Sequence, residues 1–215
     1  MKAPFRDRGH AGRELAKMLE EFRGAAALVL AIPAGGVPVA AAIAAELGLP
    51  LDVAPVSKVL YPWTTESGYG AVAFDGSMWL DESRMSGHGL SPAQVERAVS
   101  EARAKVERRL ARLRGSRRPL ALEGRAVIAV DDGIAGGATM RTAIAALRRA
   151  GAATIVVAVP TAHKNALDAI SKLADAVYCA NVCGGASFAV ADAYSEWRDL
   201  GDDEIEALLQ NRAQP

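Results

Sequence analysis

The chain has 215 residues, with 25 basic and 25 acidic side chains and no net charge at neutral pH. This length suits one α/β domain with appendages, and the balanced charge argues against a dedicated nucleic-acid-binding protein. The two cysteines, Cys179 and Cys183, are too few for a disulfide scaffold or a cysteine-rich zinc site. The polar first residues and the absence of a long apolar run predict neither a signal peptide nor a membrane span, so we expect a cytoplasmic protein.

The first elements alternate between helical and extended patterns. The apolar spacing predicts helices at 9–23 and 39–47 and strands at 27–33 and 51–60. A glycine turn at 33–38 joins the first strand to the second helix. Ser57 and Lys58 lie near the end of the second predicted strand. A strand that leads through glycines into a helix start is a pattern that suits an oxyanion.

The middle of the chain reads as an insertion. Residues 70–81 are predicted to form a hairpin, because apolar flanks surround the turn pair Asp75-Gly76. Residues 91–114 are predicted to form a long helix that starts at Ser91-Pro92. Basic side chains crowd this helix: Arg97, Arg103, Lys105, Arg108, Arg109, Arg112 and Arg114. We interpret them as a solvated face in preference to a nucleic-acid surface.

The remaining elements complete the predicted fold. Buried strands are predicted at 127–130, 153–160 and 176–183, and helices at 139–150, 163–174 and 202–210. Strands that alternate with helices predict an α/β fold with a doubly wound, mainly parallel sheet of about five strands. We expect a single domain over 1–215, with its core at about 9–183, a loop and helix insertion at 61–118 and a C-terminal segment at 184–215.

The segment between Val127 and Met140 carries the strongest functional signal. Asp131 and Asp132 follow a strand buried on both faces, at the carboxyl end where open α/β sheets bind ligands. Small residues then lead into a helix start, whose amides and dipole suit a phosphate. A ribose 5-phosphate fits both features, because the carboxylates can accept hydrogen bonds from vicinal hydroxyls while the loop amides hold the phosphate. The predicted contacts are Asp131, Asp132, Gly133, Ala135, Gly136, Gly137, Ala138 and Thr139.

Other interpretations of this segment depend on specific residues. A tight strand-to-helix turn with an acidic helix cap stays open as an alternative. A P-loop is excluded because no lysine ends the glycine run, and a dinucleotide fingerprint is excluded by the glycine spacing. Neighbouring residues of an extended chain point to opposite faces. We therefore do not expect Asp131 and Asp132 to act together as a general acid and base.

The segment from Asp131 to Thr139 resembles the motif with which type I phosphoribosyltransferases bind 5-phosphoribosyl 1-diphosphate (PRPP). In that motif an apolar run and two acids precede a Thr-Gly-x-Thr loop. The start of the chain, from Phe5 to Ala16, also resembles a predicted-phosphoribosyltransferase subfamily. The resemblance implies transfer of the 5-phosphoribosyl group from PRPP to a nucleobase-like nitrogen acceptor, with release of pyrophosphate and with Mg²⁺ bound together with PRPP. It also implies a hairpin or flexible-loop insertion and a small C-terminal hood, and it is compatible with a homodimer.

The resemblance assigns roles to individual residues. It gives catalytic roles to Asp131, Asp132 and Lys58, and it assigns no metal ligand directly. It implies a pyrophosphate loop formed by Ala34, Gly35 and Gly36 together with Lys58. In the hood, it implies base contacts at Phe188, Tyr194 and Trp197.

Three residues depart from the family pattern. Ala34 stands where the family usually has arginine or lysine, Ser57 where the subfamily has arginine, and Gly136 where the motif has threonine. The chain keeps Lys58 and Glu66 of the pattern, so Lys58 is the expected cation for pyrophosphate, with an ordinary solvated lysine at a strand end as the open alternative. The departures leave open a non-catalytic regulator that binds PRPP or a nucleotide on the same fold. A sugar-phosphate enzyme of different chemistry is a third interpretation, since a fold does not fix a function.

Overall fold

A computed structural model describes residues 3–65, 67–115, 121–185 and 188–210. The described strands are β1 (Ala27–Ala31), β2 (Leu51–Val53), β3 (Val56–Leu60), β4 (Gly68–Ala73), β5 (Met78–Leu80), β6 (Ala126–Val130), β7 (Thr154–His163) and β8 (Ala176–Cys183). The described α-helices are α1 (Arg8–Met18), α2 (Gly36–Leu47), α3 (Glu82–Gly87), α4 (Pro92–Arg114), α5 (Ala138–Arg149), α6 (Lys164–Ile170) and α7 (Asp202–Gln210). Glu66 lies outside the described residues.

Five parallel strands form the central sheet, in the order β2-β1-β6-β7-β8. Side chains alternate across it, so that Val29 and Leu30 of β1 enter different apolar clusters. The Val29 cluster packs against α1, α2 and α7, whereas the Leu30 cluster packs against α5 and α6. Helices therefore cover both faces, and the predicted α/β fold with about five parallel strands is confirmed.

A smaller antiparallel sheet, β3-β4-β5, lies on the α5 side of the molecule. The hairpin predicted around Asp75-Gly76 is confirmed: β4 pairs with β5, and Gly76 adopts a φ of 82° that favours glycine. The single strand predicted over 51–60 is wrong. Pro55 has no N–H to continue the pairing with β1, so the chain leaves the central sheet there and re-forms as β3.

Several helix boundaries differ from the predictions. The helix predicted over 9–23 ends at Met18, and a 3-10 turn (Glu20–Phe22) follows it. The second helix begins at Gly36, three residues earlier than expected, which brings its first turn next to the glycine turn. The C-terminal helix over 202–210 has the predicted bounds. No helix within the described ranges is long and apolar enough to cross a membrane.

Helix α4 starts as predicted, with Ser91 and Gln94 forming a reciprocal capping box. Its C-terminal half is not the solvated face that the sequence suggested. The Arg114 guanidinium is 3.1 Å from Asp52 of β2, and both side chains are largely buried. Arg112 forms ion pairs with three carboxylates of α7: Asp202, Asp203 and Glu206. Helix α4 is therefore fixed to the central sheet and to α7.

Candidate functional site

A cleft of about 710 Å³ opens at the carboxyl ends of β1 and β6, between the two sheets. Asp131 and Asp132 both line it, directly after the last residue of β6. The expectation that the two side chains point to opposite faces is wrong, because β6 ends at Val130 and strand alternation no longer applies. The backbone N–H of Asp132 donates to Asp131 Oδ1 over 2.9 Å, which holds the Asp131 carboxyl against the backbone of Asp132.

The two carboxyl groups have different surroundings. Burial raises the pKa of the Asp131 carboxyl well above its usual range, and the negative charge of Asp132 raises it further. Asp132 instead has a cation at hand: Arg8 Nε donates to Asp132 Oδ2 over 2.9 Å, and both side chains are largely buried. The pair thus combines a carboxyl that holds its proton readily with one that faces a fixed guanidinium.

Arg8 is held in place by the segment that follows β8. Its guanidinium lies 3.8 Å from the centre of the Trp197 ring, and its Nη1 donates to the carbonyl of Arg198 over 2.9 Å. The Tyr194 hydroxyl donates to the Asp132 carbonyl over 2.6 Å. The N-terminus and the C-terminal segment therefore meet at Asp132. Spacing along the chain gives no signal for the contact, since Arg8 and Asp132 are 124 residues apart.

The three aromatic residues predicted as base contacts occupy different positions. Phe188 and Trp197 line the cleft, and Trp197 is 40% exposed. Tyr194 is buried between Phe5 and Trp197, with ring centres 5.8 Å and 5.3 Å away. Phe188 and Trp197 are accordingly the two that can stack on a ligand in the cleft, whereas Tyr194 orients the backbone at Asp132.

The glycine loop forms another part of the cleft wall. Gly137 is the N-cap of α5 with a φ of 79°, and no side chain caps this helix. The acidic helix cap considered for this turn is therefore not what the chain forms. Within the described ranges, the backbone amides of residues 135–140 have no protein acceptor. A helix start with open amides, lining a cleft, is a suitable site for a phosphate.

The turn after β1 reaches the cleft through Pro33, whereas Ala34, Gly35 and Gly36 of the predicted pyrophosphate loop do not line it, and the Gly36 N–H donates to the Ile32 carbonyl over 3.1 Å. Pro33 lines the cleft, and the peptide bond between Pro33 and Ala34 is cis. A Cβ atom built on Gly35 would lie 1.9 Å from Asp132 Oδ2, so only glycine fits beside that carboxylate. Ala34 is half-buried and packs on the apolar cluster beneath α2. The predicted pyrophosphate turn and the carboxylate pair are therefore direct neighbours.

Cationic side chains line the cleft beside this turn. Lys58 lines the cleft as the sequence led us to expect, but Lys105 and Arg109 of α4 line it as well. Arg109 Nη1 donates to the Pro33 carbonyl over 3.0 Å. The sequence analysis missed these two residues. A usable signal was their spacing of four residues beside the apolar stripe of α4, which places both on one side of the helix.

The donor set fits Mg²⁺ in one specific way. No group of three or more potential metal ligands occurs in the described part of the chain. Mg²⁺ is usually bound through one or two carboxylates together with substrate phosphates, and it prefers oxygen ligands. Asp131 and Asp132 offer such oxygens beside two candidate anion sites, so the residues fit an ion that arrives with a phosphorylated ligand.

Comparison with known proteins identifies the family. A family model described as the phosphoribosyl transferase domain matches residues 9–192, most of the chain. The chain belongs to this family. The resemblance inferred from the motif at Asp131 to Thr139 is thereby confirmed.

Individual relatives agree with this assignment. Two Mycobacterium tuberculosis proteins, from strains CDC 1551 and H37Rv, carry the provisional name phosphoribosyl transferase. Each is 38% identical over 205 residues, which is 95% of this chain and 46% of the relative. The chain thus spans about half the length of the curated relatives it matches. The crystal structure of the Thermus thermophilus protein TT1426 is 35% identical with a TM-score of 0.77, covering 98% of this chain and 99% of that one.

Proposed function

We propose that the chain transfers the 5-phosphoribosyl group of PRPP to a nitrogen atom of a nucleobase-like acceptor and releases pyrophosphate. The observation that carries the proposal is the order of features along one cleft. Asp131 and Asp132 lie between the open amides of residues 135–140 and the turn at Pro33. PRPP has the matching order, with its hydroxyls between a 5′-phosphate and a 1-diphosphate.

Each part of the substrate has a binding partner in this proposal. The amides of residues 135–140 bind the 5′-phosphate, and Asp131 and Asp132 accept hydrogen bonds from the ribose hydroxyls. The diphosphate lies beside the turn after β1, which borders the cleft at Pro33, and binds Lys58. Bound Mg²⁺ would neutralise charge on the diphosphate as it leaves.

The chemistry follows from holding these groups in place. The bond from ribose C1 to the diphosphate oxygen breaks, and a bond from C1 to the acceptor nitrogen forms. Positive charge develops on the ribose in an oxocarbenium-like transition state, and carboxylates fixed beside it stabilise that charge electrostatically. Arg8 keeps Asp132 in position for this role. Positioning the two reactants then supplies much of the remaining acceleration.

The acceptor side of the cleft favours a flat ring. Phe188 and Trp197 line it, and the guanidinium of Arg8 supports the Trp197 ring at 3.8 Å. Rings of this kind stack on planar ligands, as a nucleobase is. The aromatic wall is the reason to propose a nucleobase-like acceptor in preference to an aliphatic amine.

A second candidate is a non-catalytic protein that binds PRPP or a nucleotide. Three observations favour it: Ala34 and Ser57 lack the cations of the family pattern, and Gly136 lacks a loop hydroxyl. Ser57 lines the cleft with a largely buried side chain, and its hydroxyl supplies no positive charge there. Both candidates use the same cleft and differ in turnover.

The decisive experiment follows pyrophosphate release from PRPP and Mg²⁺ with each nucleobase in turn, and identifies the nucleotide product by mass. Asp132→Asn serves as the control, because it removes the proposed ribose contact and the partner of Arg8, and circular dichroism at the assay temperature checks that this variant is folded. Turnover with any base that is lost in Asp132→Asn supports the transferase. Tight PRPP binding by calorimetry, without turnover on any base, contradicts it and favours the binding protein.

A further inference from the structure

Helix α4 brings cations to the cleft that no family motif assigns to this chain. Lys105 and Arg109 lie one helical turn apart, and both line the cleft together with Lys58 of β3. No ion pair or charged hydrogen bond to a carboxylate is formed by Lys105 or Arg109 in the described part of the chain. Other basic residues of α4 do have such partners, as Arg112 and Arg114 show. Among the basic residues of α4 that the structure describes, Lys105 and Arg109 are the two that line the cleft.

The charges in this part of the cleft are unfavourable without an anion. Burial lowers the pKa of Lys105, and the positive charges of Arg109, Arg108 and Lys58 lower it further. Burial also lowers the pKa of Arg109, against the opposing charges of Asp202 and Asp131. Like charges that converge in a partly desolvated cleft repel each other, and an anion between them removes that repulsion.

Arg109 is fixed in a way that suits ligand binding. Its Nη1 donates to the Pro33 carbonyl over 3.0 Å, and within the described residues the other N–H donors of this cleft-lining guanidinium form no hydrogen bond. The ion pair of Arg114 with Asp52 and those of Arg112 with α7 hold the helix close to Arg109. A guanidinium positioned in advance loses less conformational entropy when it binds an anion.

The position of this cluster identifies the anion. Along the cleft, Arg109 contacts Pro33, Gly35 adjoins Asp132, and the open amides follow Asp132 along the chain. A ligand with its sugar hydroxyls at the carboxylates and one phosphate at the amides therefore extends its other end towards α4. We propose that Arg109 and Lys105 bind a diphosphate group, and so supply the positive charge that the turn lacks at Ala34.

The ligand is a diphosphate, either free as pyrophosphate or as part of PRPP. The identification of PRPP and the order of its groups along the cleft rest on the proposed function, whereas the presence of Lys105 and Arg109 in the cleft lining does not. The inference explains how the departure at Ala34 is tolerated. In place of a cation at Ala34, the positive charge comes from Arg109, which lies 76 residues beyond Pro33 along the chain and donates to its carbonyl.

The test measures binding of three probes by calorimetry in the presence of Mg²⁺: pyrophosphate, PRPP and ribose 5-phosphate. The variants are Lys105→Ala, Arg109→Ala and Arg109→Lys, with Arg97→Ala as the matched control. Arg97 is on the same helix, but its side chain is 83% exposed and pairs with Glu101. Arg109→Lys keeps the positive charge and so remains informative if Arg109→Ala does not fold. Circular dichroism checks that each variant is folded.

We expect Arg109→Ala and Lys105→Ala each to weaken pyrophosphate and PRPP binding by about tenfold or more. Ribose 5-phosphate affinity should stay within about twofold, and Arg97→Ala should match the wild type with all three probes. Arg109→Lys should recover part of the loss. Equal weakening for PRPP and pyrophosphate assigns the effect to the diphosphate of either source. Loss of pyrophosphate binding alone would show that PRPP binds elsewhere, which overturns the assignment to the substrate.

Two further outcomes would overturn the inference. In the first, all the α4 variants bind pyrophosphate as the wild type does; in the second, ribose 5-phosphate loses affinity to the same degree as pyrophosphate. The proposed function fails separately. If no nucleobase is converted, yet pyrophosphate binding still depends on Arg109, transfer is excluded and the diphosphate site remains. If a base is converted and the α4 variants bind and turn over like the wild type, the site is excluded and transfer remains.

Discussion

At the level of single residues, the site depends on the different surroundings of the adjacent side chains Asp131 and Asp132. Asp131 is buried and lies beside the negative charge of Asp132, and both effects raise the pKa of its carboxyl. Asp132 has the guanidinium of Arg8, itself supported by Trp197. The sequence Asp131-Asp132 reveals none of this asymmetry. It arises from contacts with residues near both ends of the described chain, which only the folded structure brings together.

The raised pKa of Asp131 leads to a prediction about stability. A carboxyl whose pKa is higher in the folded than in the unfolded state contributes fully below about pH 4, and the contribution is lost as the pH rises through the folded pKa. An asparagine side chain does not titrate, so Asp131→Asn should melt above the wild type at pH 8. The difference should shrink towards pH 4. Differential scanning calorimetry across this range measures it.

Asp132→Asn is the control for this prediction, and its sign is opposite. It removes one partner of a largely buried ion pair and leaves Arg8 uncompensated, which typically costs about 3–5 kcal/mol. Its melting temperature at neutral pH should therefore fall below that of the wild type. A melting difference for Asp131→Asn that stays constant between pH 4 and pH 8 would contradict the assigned titration.

At the scale of elements, local patterns predicted most of the fold, and failures have local causes. The parallel strands and the hairpin followed from apolar runs and from Asp75-Gly76. The strand over 51–60 was wrong because its apolar residues continue through Pro55, and only the pairing partners change there. Periodicity reports that a segment is extended. It does not report which sheet the segment joins.

The loop before α5 allows an element-scale prediction with a built-in comparison. A Cβ atom at Gly136 meets no other atom within 4 Å, so Gly136→Thr should fold normally. The added hydroxyl restores the family pattern and can donate to the phosphate, a gain of about 0.5–1.5 kcal/mol, or about two- to tenfold in ribose 5-phosphate affinity. Calorimetric titration with ribose 5-phosphate measures the gain.

The neighbouring glycine is the matched control. Gly137 has a φ of 79°, where any other residue is strained by about 1–2 kcal/mol. Gly137→Ala should therefore lower the melting temperature, whereas Gly136→Thr should leave it unchanged. Weaker ribose 5-phosphate binding by a stable Gly136→Thr protein would show that the phosphate does not approach this part of the loop.

At the scale of the whole molecule, the cleft is built from parts that are far apart in the sequence. The carboxylates directly follow β6, the turn follows β1, and the cations come from β3 and α4. The sequence predicted the first two, because each is a compact motif with its own spacing. It did not place Lys105 and Arg109, because which side of α4 faces the cleft depends on how that helix packs on the small sheet. The many basic residues of α4, taken alone, favoured a solvent-exposed face.

We expect the two ends of the cleft to respond differently to ribose 5-phosphate and to PRPP. In the proposed binding mode, ribose 5-phosphate reaches only the carboxylates and the loop before α5, whereas PRPP also reaches Pro33 and α4. At equal multiples of their dissociation constants, about 100-fold, both ligands should stabilise the protein by about 2.7 kcal/mol, because mass action depends only on that ratio. A melting shift therefore cannot separate them, and the pattern of amide hydrogen exchange must.

Hydrogen exchange monitored by mass spectrometry should show PRPP with Mg²⁺ slowing exchange both in the loop at 133–140 and in the turn at 33–36, with peptides of α4 near Arg109 also protected. Ribose 5-phosphate should protect the first region alone. Protection of both regions by ribose 5-phosphate would mean that the walls respond together to any ligand. Protection by PRPP confined to 133–140 would mean that its diphosphate stays in solvent. Only separate protection of the two regions agrees with a cleft in which one end binds the monophosphate and the other end the diphosphate.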